Sequence, residues 1–207
     1  MLKMEKEYQE KYGAIPDTYV ERLDYLLSST NYKHVKESVY KRLEENNHIK
    51  WKTVQFTLYL LPKATPRPRS TSRGGFFYVS GAKDNKKYFE KYMLDKDWEV
   101  ITTPCVFQVD TYYPIPESMS KQEKILAELG SVRPISKPDW DNVGKTYSDM
   151  IQGILLYDDS LIIEGISRKF YSVKPRIVIT IRYMESFDSN YNEKKMKKKE
   201  KKGRNLL

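Results

Sequence analysis

The chain has 207 residues and a formal net charge of +9, with 37 lysines and arginines against 28 aspartates and glutamates. A single cysteine, Cys105, excludes an intrachain disulfide, and with only two histidines a zinc site is not expected. No apolar run reaches the length of a membrane span, and the charged first residues do not resemble a signal peptide. We therefore expect a soluble, cytoplasmic protein.

The N-terminal residues, 1–48, are highly charged and are predicted to form a helical extension. Asp17 can cap a periodic stretch over residues 18–27, and a second periodic stretch runs from residue 32 to about residue 45. The sequence leaves open whether these helices pack on the main domain or on a second copy of the chain.

The spacing of apolar residues changes from helical to alternating at Trp51, which predicts a half-buried strand over about residues 51–60. Residues 63–75 are rich in Pro, Gly and Arg and are predicted to form an exposed, extended loop. A helix over about residues 84–96 and a second alternating strand from Cys105 to Thr111 follow.

The remaining elements complete a predicted domain over residues 49–184. Ser120 can cap a helix that ends at Gly130, and residues 161–171 and 176–183 are predicted to pair as a hairpin. The order of elements predicts an α+β domain, with a small mixed β-sheet covered by helices.

Residues 185–207 are predicted to form a basic, flexible tail. Between Lys194 and Arg204 there are eight basic residues and one acid. A basic tail on a nearly balanced body indicates a polyanion partner, most simply nucleic acid. The alternative is a solvated tail that only keeps the protein in solution.

The most informative stretch is a predicted helix that begins after Pro138 with Asp139 as its N-cap. It should run to about Gln152 and stop at Gly153. Three of its side chains have a spacing of four residues and so share one face of the helix; they are Asp141, Lys145 and Asp149.

Two further carboxylates, Asp158 and Asp159, follow an apolar run that could bring them back beside this helix. Crowded carboxylates repel one another unless a cation compensates them, and a hard divalent cation prefers oxygen ligands. Taken singly, Asp139 could be only a cap and the Asp pair only a turn. Asp-x-Asp also occurs in haloacid-dehalogenase-type phosphatases and in nucleotide-sugar glycosyltransferases, but the apolar strand and the βαβ region that these need are not evident upstream.

Over residues 50–184 the chain resembles the RusA family of Holliday junction resolvases, in the form found in phages. The central motif is long and specific, and three upstream segments agree with it. The central residues are Lys137–Asn142, Lys145, Asp149, Gly153 and Tyr157–Ser160, and the upstream segments are Pro66–Arg69, Tyr113–Pro116 and Ser120–Lys124.

The resemblance implies a homodimer that cleaves four-way DNA junctions with Mg²⁺ or Mn²⁺, in DNA recombination and repair. It implies that Asp139, Asp141 and Asp159 bind the metal, with Asp159 chosen over Asp158, and that Lys145 is a catalytic residue. The alternative for Lys145 is an ordinary ion pair along the helix, which would contribute about 0.3–0.5 kcal/mol.

Five basic residues are candidates for contacts to DNA phosphates, which position DNA without reading its sequence. Three lie in the loop after the first strand and two in the strand after the Asp pair: Arg67, Arg69, Arg73, Arg168 and Lys169. Two other functions remain open at this point, namely a junction-binding module without efficient cleavage and an Asp-dependent phosphotransfer enzyme.

Overall fold

The computed structural model describes residues 3–28, 35–63, 69–70, 76–77, 82–94, 96 and 98–187, and the chain divides into two units, Met1–Ile49 and Lys50–Leu207. The described part of the first unit is helical, as its sequence predicts. It contains helices α1 (Lys3–Tyr12), α2 (Tyr19–Ser28) and α3 (Lys36–Asn47). Across the described ranges, no helix has the length and apolar character needed to cross a membrane.

The second unit is built on a mixed sheet of four strands, in the order β1-β6-β4-β5. Strands β4 and β5 are parallel, whereas β6 is antiparallel to both of its neighbours, β1 and β4. A separate ribbon pairs β2 with β3. The strands are β1 (Trp51–Leu58), β2 (Arg69–Ser70), β3 (Phe76–Phe77), β4 (Cys105–Pro114), β5 (Ile162–Ser172) and β6 (Arg176–Met184).

The predicted hairpin of β5 and β6 is wrong, although both strands form close to the predicted bounds. Strand β4 lies between them and pairs with β5 on one side and β6 on the other. Two strand spacings amount to about 9.6 Å, which the three residues 173–175 can cross at roughly 3.4 Å each. The arrangement places β4, whose Cys105, Val109 and Thr111 are fully buried, at the centre of the sheet.

In the described part of the second unit, three helices accompany the sheet: α4 (Ala82–Met93), α5 (Lys121–Glu128) and α6 (Trp140–Ile151). The predicted cap of α5 is confirmed, since Ser120 and Glu123 form a reciprocal capping box. Glycines follow α5 and α6 with φ angles of 79° and 78°, the left-handed conformation that ends helices. They are the predicted Gly130 and Gly153.

One face of the sheet is buried under α4 and α6, which gives an α+β domain as predicted. Phe89 of α4 stacks on Phe56 of β1 with ring centroids 5.3 Å apart. Helix α6 contributes a stripe of buried side chains to the same core, while its opposite face stays exposed. The buried stripe comprises Val143, Tyr147, Met150 and Ile151, and the exposed face carries Asp141, Lys145 and Asp149.

Candidate active site

The site begins at the N-terminus of α6, where Asp139 occupies the N-cap position. Its backbone is extended, with φ −68° and ψ 155°, but its side chain makes no capping hydrogen bond. The helix therefore starts without the use of this carboxylate, which distinguishes Asp139 from an ordinary cap such as Ser120.

Lys145 links two parts of the chain across the site. Its Nζ lies 2.6 Å from Oδ1 of Asp149, one turn along α6, and 3.1 Å from Oδ2 of Asp159. The hydrogen bond to Asp149, and more weakly that to Asp159, raise the pKa of Lys145 against the opposing effect of partial burial, so the ammonium is charged at neutral pH.

The apolar run before the Asp pair returns the chain to α6. Leu155 and Leu156 are buried in the core. Backbone hydrogen bonds tie this run to Ile101, from Ile101 N–H to Leu155 O at 2.8 Å and from Tyr157 N–H to Ile101 O at 3.0 Å. Burial of these leucines therefore fixes where the following carboxylates emerge, with Asp159 beside Lys145.

The two adjacent carboxylates have different surroundings. Asp158 is the N-cap of a short 3-10 helix, Asp159–Leu161, and its Oδ1 accepts a hydrogen bond from the Ser160 N–H at 3.0 Å. Asp159 instead faces Lys145. The structure thus assigns a local capping contact to Asp158 and a contact across the site to Asp159.

A pocket of about 360 Å³ lies at this position, between α6, the 3-10 helix and the start of β5. Asp141, Lys145 and Asp159 line it, and Asp139 does not. Gly144 also lines it, and a Cβ at that position would be only 2.8 Å from Oγ of Ser167, so α6 packs closely on β5 here.

The donor chemistry of this pocket fits a hard divalent cation. Within the described ranges, no three His, Cys, Asp or Glu side chains are grouped closely enough to hold a metal ion. Mg²⁺, however, commonly takes only one or two carboxylates and completes its coordination with water and substrate phosphate. Asp141 and Asp159, which both line the pocket, meet that requirement, with Asp139 at the adjacent helix start.

Two of the predicted DNA contacts are engaged within the protein. Arg168 forms a two-pronged ion pair with the nearly buried Asp110, with Nε–Oδ1 and Nη2–Oδ2 distances of 2.7 Å, and this raises the pKa of Arg168. Lys169 donates to the carbonyls of Ser136 and Pro138 at 2.9 and 3.0 Å. Arg69 begins β2, and Arg67 and Arg73, like the basic tail from residue 188 on, lie outside the described residues.

The sequence reasoning overlooked Trp140, which lies between the two aspartates at the start of α6. Its side chain is 62% exposed and lines the pocket. The sequence did contain a signal for Trp140 as a site residue. It is a large aromatic residue between two aspartates, at the first position of the helix and off its buried stripe. Asp110 was also overlooked, because a carboxylate in a strand gives no indication of its partner 58 residues away.

Comparison with known proteins identifies the family of the chain. The family model "Endodeoxyribonuclease RusA" matches residues 60–182, a range that includes α6 and Asp159. "Uncharacterized protein YqaN" of Bacillus subtilis (strain 168) is 35% identical over 136 residues, which cover 62% of this chain and 95% of that protein. The chain therefore belongs to the RusA endodeoxyribonuclease family, and this membership implies the nuclease activity of a Holliday junction resolvase.

Proposed function

We propose that the protein is a divalent-metal-dependent endonuclease that resolves four-way DNA junctions by paired, symmetric nicks. The observation that carries the proposal is the convergence of Asp141, Lys145 and Asp159 on one exposed pocket within a chain of this family. These residues come from two segments that are separated by the buried apolar run, so their meeting is a property of the fold.

Asp141 and Asp159 in the pocket are the residues that would hold Mg²⁺ or Mn²⁺, and Asp139 at the adjacent helix start is proposed as a third ligand. When bound, such an ion polarises a phosphoryl oxygen and lowers the pKa of a coordinated water. The aspartates around the pocket outnumber its lysine, so a bound cation would offset their repulsion of a DNA phosphate.

Lys145 is the residue that would stabilise charge on the phosphate undergoing cleavage. Its raised pKa keeps it protonated, and its contacts to Asp149 and Asp159 hold the ammonium at the pocket wall. A fixed cation beside the reacting phosphate favours the more negatively charged transition state. Asp149 orients Lys145 and is not proposed as a metal ligand.

Branched DNA is the proposed substrate and a homodimer the proposed working unit. A four-way junction has near-twofold symmetry, and its resolution needs two nicks on opposed strands. A C₂ dimer provides two equivalent sites in related orientations. The proposed phosphate contacts are Arg67, Arg69, Arg73, the exposed part of Arg168 and the basic tail.

The test is a gel assay on four-way, flap and linear DNA with wild-type protein and Asp141→Asn, each with and without Mg²⁺. We expect Mg²⁺-dependent paired nicking of the four-way junction by wild type only. Asp141→Asn should still bind the junction, because the change preserves shape and removes a negative charge that faces DNA. Normal nicking by Asp141→Asn would refute the site, and binding without cleavage by wild type would favour a junction-binding module.

A further inference from the structure

The side chain of Lys169 holds the segment that precedes α6, residues 136–138, and we call this contact the lysine clamp. Lys169 lies in β5, and its Nζ donates to two backbone carbonyls of the preceding segment, Ser136 O at 2.9 Å and Pro138 O at 3.0 Å. Both acceptors are main-chain atoms of the residues just before Asp139. A single ammonium therefore fastens this segment to the edge strand of the sheet.

The position of the Pro138 carbonyl matters because the peptide unit is planar. Fixing Pro138 O also fixes the plane that contains N and Cα of Asp139. Asp139 makes no capping hydrogen bond with its own side chain, so such a bond does not hold its orientation at the start of α6. The lysine clamp therefore constrains the position of the Asp139 Cα, from which the carboxylate projects.

A second contact fastens the same segment at its other end. The guanidinium of Arg133 stacks on the ring of Phe170, 3.6 Å from its centroid, and Nη1 donates to the Lys169 carbonyl at 3.1 Å. Residues 133–138 are therefore attached to β5 on both sides of the exposed Ile135. The attachment uses the side chain and the main chain of Lys169, together with the ring of Phe170.

We propose that Lys169 is a positioning residue for the metal site, acting through the Pro138–Asp139 peptide, and not a contact to DNA phosphate. The proposal rests on the proposed function, since it assumes that Asp139 is a metal ligand. The proposal replaces the DNA phosphate contact that the sequence predicts for Lys169, because its ammonium already donates hydrogen bonds to two carbonyls.

Three roles for Lys169 predict different results when its charge is removed. A phosphate contact would lower DNA affinity and reduce the slope of log K against log salt by about 0.9. A cation acting only through its field would tighten metal binding on removal, since it repels the metal. A positioning residue would weaken metal binding and leave the salt slope unchanged.

The experiment uses the full chain with Lys169→Met, which keeps an unbranched side chain one atom shorter and removes its donors. Lys169→Arg retains donors and charge, and Lys174→Met is the control for loss of one positive charge next to the same strand. Binding of Tb³⁺ is followed by its luminescence, which Trp140 in the same pocket can sensitise. Junction affinity is measured in EDTA over a range of salt, and nicking is measured against Mg²⁺ concentration.

We expect Lys169→Met to weaken Tb³⁺ binding by about 10-fold or more, the scale for residues that orient metal ligands, and to shift nicking to higher Mg²⁺. Lys169→Arg should recover most of the loss, and Lys174→Met should match wild type. Tighter or unchanged Tb³⁺ binding by Lys169→Met, or a reduced salt slope for its junction binding, would overturn the positioning role. The proposed function would still stand in that case, provided that the wild-type protein nicks the junction with Mg²⁺. Absence of both Tb³⁺ binding and Mg²⁺-dependent nicking in wild type would overturn both proposals. Thermal unfolding of each variant separates these effects from loss of the fold.

Discussion

The adjacent aspartates, Asp158 and Asp159, allow a test in which two changes of identical chemistry have different expected outcomes. Asp159→Asn removes the carboxylate charge that faces Lys145 across the pocket. Asp158→Asn removes the charge of the neighbouring residue but retains an oxygen that can accept the hydrogen bond from Ser160 N–H. The two variants therefore have the same net charge and almost the same volume.

The structure sets the expected effect on stability, which is small for both. The Lys145–Asp159 pair is 3.1 Å apart, and its side chains are 60% and 39% exposed, so solvent screening limits its contribution to about 0–1 kcal/mol. In Asp159→Asn, Lys145 would also retain its ion pair with Asp149, which is 2.6 Å away. Asn and Asp are about equally good N-caps, so Asp158→Asn should change the free energy of unfolding by less than about 0.5 kcal/mol.

The expected effect on activity separates the two variants. Asp159→Asn should reduce Mg²⁺-dependent nicking of a four-way junction to background, whereas Asp158→Asn should keep most of it. Urea unfolding gives the stabilities, and single-turnover cleavage of an end-labelled junction gives the rates. Equal loss of cleavage in both folded variants, or greater loss in Asp158→Asn, would refute the assignment of Asp159 to the site and of Asp158 to the cap.

Three further outcomes are expected. Deleting residues 194–204 should weaken binding to any DNA and reduce the slope of log K against log salt, without changing the preference for junctions. Titration at several salt concentrations measures this slope, and an unchanged slope would exclude the tail as a DNA contact. Sedimentation should give the mass of a dimer. Mixing wild type with excess Asp141→Asn chains should give heterodimers that leave singly nicked junctions. A protein that stays monomeric yet cuts both strands would contradict the mechanism. Gly144→Ala should destabilise the protein by up to about 2 kcal/mol, because the new Cβ would lie 2.8 Å from Ser167 Oγ and the helix preference of alanine offsets part of that strain. In a Ser167→Ala background the same change should cost less or become stabilising, since alanine is favoured over glycine within a helix by about 1 kcal/mol; equal costs in both backgrounds would argue against the close contact.

Local features were predictable because they depend on residues a few positions apart. The cap of α5 at Ser120 and the stops at Gly130 and Gly153 follow from backbone groups that are satisfied within one turn. The shared face of Asp141 and Lys145 follows from the helical repeat alone. The motif around them is long enough that the amino-acid sequence by itself indicates the family.

The tertiary structure decided which distant residues become neighbours. Alternation in β5 and β6 specifies the faces of each strand but not the adjacent strand, so it did not reveal that β4 lies between them. The partner of Arg168 is 58 residues away, and the carbonyls that Lys169 binds are 31 and 33 residues away. A basic side chain in a sequence looks the same whether it meets a carboxylate, a carbonyl or a phosphate, because only the packing of the strands determines which acceptor lies within its reach.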